Sequence, residues 1–228
     1  MWVIEAIIEL LKENMQMLSR ETVNTLYMTL VSSIVAYILA LPLGVALVVT
    51  KEDGLHPIGF LNRILDIAVN IGRSVPFLIL LVAIQPLTTF IVGKSYGSTA
   101  TIVPLVVAST PFIARLIESS LQEVDHGVIE AAQSMGASLS TIILKVLIPE
   151  AKTSLIVGGT IAIGTILSYS AMAGFVGGGG LGDIATRYGY YRYQADIMII
   201  TVILMVILIQ LLQLIGMKIA RKTDKRAI

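Results

Sequence analysis

Five stretches of about twenty or more residues carry no charged side chain, and they decide what this sequence can fold into. Thr22 to Thr50 lies between Glu21 and Lys51, Ser74 to Gly93 between Arg73 and Lys94, and Ser95 to Ala114 ends at Arg115. Thr153 to Gly182 lies between Lys152 and Asp183, and Ile197 to Met217 between Asp196 and Lys218. A helix crosses about 30 Å of hydrocarbon with about 20 apolar residues, so each stretch predicts one crossing. Charged residues make up only 14% of the 228, well below the roughly 25% of soluble domains. The expected fold class is therefore an all-α integral membrane protein of about five transmembrane helices, with the lipid bilayer as its main solvent.

The fourth stretch is too long for one crossing. Its tail, Gly174-Phe175-Val176 followed by four glycines, is poor helix, so the span is expected to end near Ala173. An external loop or re-entrant segment is expected from there to about Ala195. Pro42 and Pro86 fall inside spans and predict kinks.

Five spans put the termini on opposite sides, and the basic residues choose between the two orientations. With the C-terminus inside, Lys51, Arg63, Arg73, Arg115, Lys145, Lys152, Lys218, Arg221, Lys222, Lys225 and Arg226 are cytoplasmic, against Lys12, Arg20, Lys94, Arg187 and Arg192 outside. That asymmetry satisfies the positive-inside rule. Residues 1–21 are expected to form an external amphipathic helix, since Ile4, Ile7, Ile8, Leu11, Met15 and Leu18 recur at helical spacing. Residues 22–217 form the membrane domain, 115–152 its largest cytoplasmic loop, and 218–228 a basic cytoplasmic tail.

Several functions are disfavoured. A formal net charge of +1 and the lack of a basic stripe leave no nucleic-acid partner. There is no cysteine for thiol chemistry or metal ligation. His56 and His126 both fall in cytoplasmic connections and form no His-x-x-x-His pattern, so neither a metal nor any other cofactor is expected. No cleavable signal peptide is expected, because the first residues carry Glu5, Glu9 and Glu13 rather than a basic start. Gly177-x-Gly179-x-x-Gly182 matches the dinucleotide fingerprint by letter but follows a transmembrane helix, so it reads as a flexible external turn that lets helices pack closely. A phosphate loop for ATP hydrolysis is missing, so the chain is not expected to be an enzyme. The middles of the spans carry no ionisable group, which disfavours a proton-coupled carrier.

Between the third and fourth spans, Asp125 is placed to cap a helix of about three turns that Gly136 ends. Val128, Ala131, Ala132 and Met135 form its narrow apolar side. Ser138 or Ser140 can cap a second short helix, and Pro149 with Glu150 suits the first turn of the fourth span. Small residues flanking a carboxylate suit docking into another protein: Ala131 and Ala132 admit close backbone approach, and Glu130 can make a charge-assisted pair. The alternative is an idle helix at the membrane surface.

Glu130-Ala131-Ala132, three residues, Gly136, nine residues, then Val146-Leu147-Ile148-Pro149 resembles the EAA loop of bacterial binding-protein-dependent ABC importers. Val146 and Ile148 replace the usual Ile and Leu of its ending conservatively. Arg73-Ser74-Val75-Pro76-Phe77, Pro111-Phe112-Ile113-Ala114-Arg115, Tyr169 to Gly174, Gly179-Gly180-Leu181-Gly182 and Tyr188-Gly189-Tyr190 extend the likeness over nearly the whole chain, toward the methionine-importer permeases. The resemblance implies a type-1 ABC importer permease architecture in a bacterial cell membrane. It also implies a homodimer, cytoplasmic ABC ATPase subunits and an external substrate-binding lipoprotein, with methionine or a close analogue as cargo. Glu130, Ala131, Ala132 and Gly136 would contact the ATPase, and Tyr169, Ser170 and Met172 would line the pathway. Met172 would be a soft plug there, with helix packing as the alternative. For Asn70, Arg73 and Gln85, pathway lining and interhelical hydrogen bonding stay open. A permease for another small nutrient, a membrane-embedded enzyme and a secondary carrier are the rival functions.

Overall fold

The computed structural model describes residues 2–224, with side chains from residue 14 onward. Among them there is no β-strand. The helices are α1 (Trp2–Thr50), α2 (Gly59–Ser74), α3 (Phe77–Ala83), α4 (Gln85–Val92), α5 (Ser98–Gln122), α6 (His126–Ser134), α7 (Leu139–Ile142), α8 (Ile148–Glu150), α9 (Lys152–Ala173), α10 (Gly180–Ile184) and α11 (Ala195–Thr223). π-helical turns join α7 to α8 (Ile143–Leu147) and follow α10 (Ala185–Tyr190).

Four helical segments are long and apolar enough to cross a membrane, and up to five when the broken pair α2 and α3 counts as one span. The second crossing departs most from its expected form. Val75 and Pro76 interrupt it, the residue before a proline being pushed out of helical conformation, and Ile84 breaks it again ahead of Pro86. The kink expected at Pro86 is thus a break, whereas α1 runs through Pro42 without one. The connection before it is not a loop: α2 is a 16-residue amphipathic helix, which Arg63, Asp66 and Arg73 hid from a search for uncharged stretches.

α1 also runs through residue 21, so the expected N-terminal helix is continuous with the first span. The side chains of Ile4, Ile7, Ile8 and Leu11 lie outside the described residues. α5 continues two turns past Arg115, which shortens the segment between the third and fourth spans.

The chain forms two compact units. The first comprises Met1–Ser33, Pro76–Val106 and Ile163–Leu212. Leu18, Ile184, Ile197 and Ile200 form a buried cluster in it, with Met17, Tyr188 and Leu204 packed alongside. The second comprises Ile34–Val75, Val107–Ala162 and Gln213–Ile228. Small residues let its helices approach closely, as membrane interfaces favour. A Cβ on Gly44 would stand 2.7 Å from Ile117 Cγ2, and one on Gly72 3.0 Å from Pro111 Cγ. The Tyr37 hydroxyl donates to Leu155 O at 3.1 Å, and the Asn62 amide donates to Leu47 O at 2.8 Å, tying the start of α2 to the end of α1.

Hydroxyls within the helices mostly satisfy themselves by donating to a carbonyl one turn back, as Thr25, Ser33, Thr50, Thr160 and Thr201 do. Lipid offers no partner, so this local bond is the cheapest way to carry a polar group. Among the four candidate spans, α11 is the least covered by the chain itself, with only 17% of its best apolar window buried against 56% for α5. Ile199, Ile203, Val206, Leu214 and Ile215 all point away from the protein's own core.

Candidate coupling site and pathway residues

The segment after α5 forms as its local chemistry dictates. The Asp125 carboxylate accepts from Gly127 N at 2.7 Å and caps α6. Gly136 ends that helix at φ +76°, a left-handed conformation that L side chains adopt at a cost. Ser138, rather than Ser140, caps α7 by accepting from Thr141 N. Pro149 falls in α8, just before the helix breaks at Ala151 and restarts as α9.

The four expected contact residues do not share a face. Ala132 is buried at 5% exposure, whereas Glu130, Ala131 and Gly136 are exposed. Glu130 lies on the rim of a cavity of about 430 Å³, lined also by Lys51, Asp53, His126, Ile129 and Gln133. The outward apolar stripe is Val128, Ala131 and Met135, and Met135 is 81% exposed. A large thioether so exposed beside a short helix is open to a partner, and the motif alone did not single it out. Between two spans, an exposed short helix held by caps at both ends offers a fixed shape to a partner.

Behind this segment, α2 and α5 are joined by a polar network. The Arg115 guanidinium donates to Asp66, to Asn70 Oδ1 at 3.0 Å and to Glu118 Oε2 at 2.6 Å. Gln122 completes it by donating to Glu118 Oε1 at 3.3 Å. Paired in this way, Arg115 can stay inside a helix instead of ending it. Asn70 is thereby accounted for by interhelical hydrogen bonding.

In the first unit, Tyr169 stacks flat on Phe77, with ring centroids 4.7 Å apart and planes 2° from parallel. Met172, one turn on, is 43% exposed. Ser170 points the other way: it is 1% exposed and its hydroxyl donates to Leu167 O at 2.7 Å. Tyr169 and Met172 therefore lie near one another on α9, and Ser170 does not join them. Gln85 borders a small gap beside Leu81, Thr88 and Thr101.

The glycine segment after α9 packs as closely as expected, but it is buried rather than flexible. All five residues of α10 are buried, and Gly177, Gly179 and Gly180 have φ between +77° and +79°. Gly97 N donates to Gly177 O at 2.9 Å and Thr101 Oγ1 to Gly178 O at 3.2 Å. Gly180 N donates to the Glu21 carboxylate and Leu181 N to the Thr25 hydroxyl, both at 2.8 Å. The segment is a tight turn packed within the core of its unit. Its donors, of the kind that elsewhere meet a phosphate, already hold acceptors from α1.

Four or five membrane-length helices among the described residues, with one capped and exposed helix between two of them, define a multi-pass membrane protein. The chain belongs to the family described as the binding-protein-dependent transport system inner membrane component, matched over residues 40–227. It is 53% identical over 213 residues to the "Probable D-methionine transport system permease protein MetI" of Vibrio cholerae, covering 93% of this chain and 95% of that one. It is 43% identical over 180 residues to the "Methionine import system permease protein MetP" of Bacillus subtilis, covering 79% and 81%. A solved structure of the MetNI methionine ABC transporter in an inward-facing conformation matches with a TM-score of 0.92 and 45% identity, over 93% of this chain and 99% of that one. An amino acid ABC transporter at 21% identity and TM-score 0.70 shares the fold.

Proposed function

We propose that this chain is the membrane-spanning subunit of an ATP-driven methionine importer. Two copies form the translocation pathway and alternate between outward and inward access. A separate ATPase supplies the energy from the cytoplasm, and a substrate-binding lipoprotein delivers the cargo outside. The observation that carries the reading is the exposed, doubly capped α6 within a chain of this family. The cargo follows from the relatives named for methionine, which match this chain over most of its length.

In this reading Ala131, Met135 and the Glu130 carboxylate meet the ATPase, Ala132 seats α6 on its own unit, and Gly136 fixes where the helix ends. ATP can shift the permease between states only if these contacts differ between them. Tyr169 and Met172 line the constriction, and Ser170 holds the helix behind them. The N-terminus lies outside and the C-terminus in the cytoplasm, in accord with the basic-residue distribution.

Co-expression with the ATPase and binding protein, followed by reconstitution, should give methionine uptake that requires ATP and all three components. The purified permease alone should hydrolyse no ATP. Single cysteines at Gln16 and Thr223 should label from opposite sides of the membrane, Gln16 from outside. Uptake without the ATPase would overturn the assignment, and labelling of both positions from one side would overturn the topology.

A further inference from the structure

We propose that Glu21 and Thr25 are positioning residues for the gate, holding the tight turn Gly177–Ile184 against the end of α9. The inference rests on the reading of Tyr169 and Met172 as pathway residues. Glu21 is the last charge before the first span, and in the sequence it does no more than mark a boundary. In the fold its Oε2 accepts from Gly180 N at 2.8 Å and from the Asn24 amide at 3.0 Å. One turn along, Thr25 donates to Glu21 O at 2.9 Å and accepts from Leu181 N at 2.8 Å. Two successive backbone donors that open α10 are thus satisfied from a helix more than 150 residues away in sequence.

What these bonds hold is packed backbone to backbone. A Cβ on Gly182 would strike the Ala171 backbone, and one on Gly174 would strike Gly182 and Asp183. A Cβ on Gly180 would stand 2.7 Å from Thr25 Oγ1 and 2.8 Å from Met28 Cε. The contact at Ala171 is immediately before Met172, so the route from Glu21 to the gate is Gly180, Gly182, Ala171, Met172. Buried N–H groups left without an acceptor are costly, and a carboxylate is the strongest acceptor available to them. Removing it loosens the turn and withdraws the support behind Met172. The gate residue then samples open positions while the rest of the permease stays assembled.

Because the chain has no cysteine, Met172→Cys provides a single reporter. In that background, within the assembled permease–ATPase complex, Glu21→Ala should raise the rate of labelling by an impermeant thiol reagent about tenfold, as loss of one charge-assisted hydrogen bond implies. With Met172 intact, Glu21→Ala should lower uptake severalfold at unchanged ATPase content. Glu21→Gln keeps an acceptor without its charge and should fall between wild type and Glu21→Ala in both assays. Thr25→Val should repeat the defect, and Thr25→Ser should restore it. A purely structural role would lower assembly without changing labelling per complex. Unchanged labelling in both Glu21→Ala and Thr25→Val would overturn the proposal, as would Glu21→Gln behaving like Glu21→Ala. If Glu21→Ala does not assemble, the Thr25 pair decides by the same readout. Absence of methionine uptake by the wild-type complex would count against the transport function, while the labelling arms would still decide the role of the turn.

Discussion

The buried glycine turn and the α6 segment are both short pieces placed after long helices, and they are built in opposite ways. The turn consumes its hydrogen-bonding capacity internally: α10 is buried throughout, and its leading donors are taken by Glu21 and Thr25. The α6 segment secures only its ends, through Asp125, Gly136 and Ser138, and leaves Val128, Ala131, Glu130 and Met135 exposed. A segment with nothing left to offer serves as a fixed support. One that fixes its backbone and frees its side chains leaves them open to another protein.

The largest test of that contrast is Gly182→Val. Its side chain would run into the Ala171 backbone, which cannot move without shifting α9. A cost above about 3 kcal/mol is expected, beyond ordinary overpacking because backbone is struck. The yield of monodisperse protein in detergent should collapse, and a well-folded variant with an unchanged melting temperature would show that the turn is peripheral. Gly136→Leu should have a smaller effect on the fold, because nothing lies within 4 Å of the added Cβ and only the positive φ resists it. That strain is about 1–2 kcal/mol and stays local. Gly136→Leu and Glu130→Arg should insert and dimerise, yet lose ATPase co-purification or uptake. Wild-type values for both in both variants would reduce α6 to a connector. The smallest change in stability is expected for Met135→Asp, within about 0.5 kcal/mol because the side chain is already in solvent. ATPase affinity should nonetheless fall about tenfold, a modest hot-spot effect. A melting temperature that drops while ATPase binding holds would mean that Met135 packs inward.

The same contrast explains what could be read from the sequence. Asp125 and Gly136 act on neighbours within a few residues, so their roles are legible from spacing alone, whereas spacing leaves the second cap open between Ser138 and Ser140. The charge-free windows found the helical core, but they missed α2, whose Arg63, Asp66 and Arg73 lie on one amphipathic helix. They also ended the third span at Arg115, whose charge is met by Asp66 and Glu118. Four successive glycines carry no side chain to betray burial, and their partners Glu21 and Thr25 lie far away in the chain. From sequence the turn therefore looks flexible, and Glu21 only marks an edge. The resemblance groups Ser170 with Tyr169 and Met172, although successive residues on a helix point about 100° apart.

The π turn at Ile143–Leu147 has a consequence for the phase of the helix that follows it. The buried positions there are Ile142, Leu147, Ala151 and Leu155, separated by five, four and four residues. The wider turn absorbs one residue, so the inward stripe keeps to one side although the spacing has slipped. Deleting one residue between Ile143 and Leu147 would restore ordinary α-helical winding and leave the stripe where it is. The same deletion at Ile156 would have no such slack, and every side chain beyond it, Tyr169 and Met172 included, would swing by about 100° around the helix.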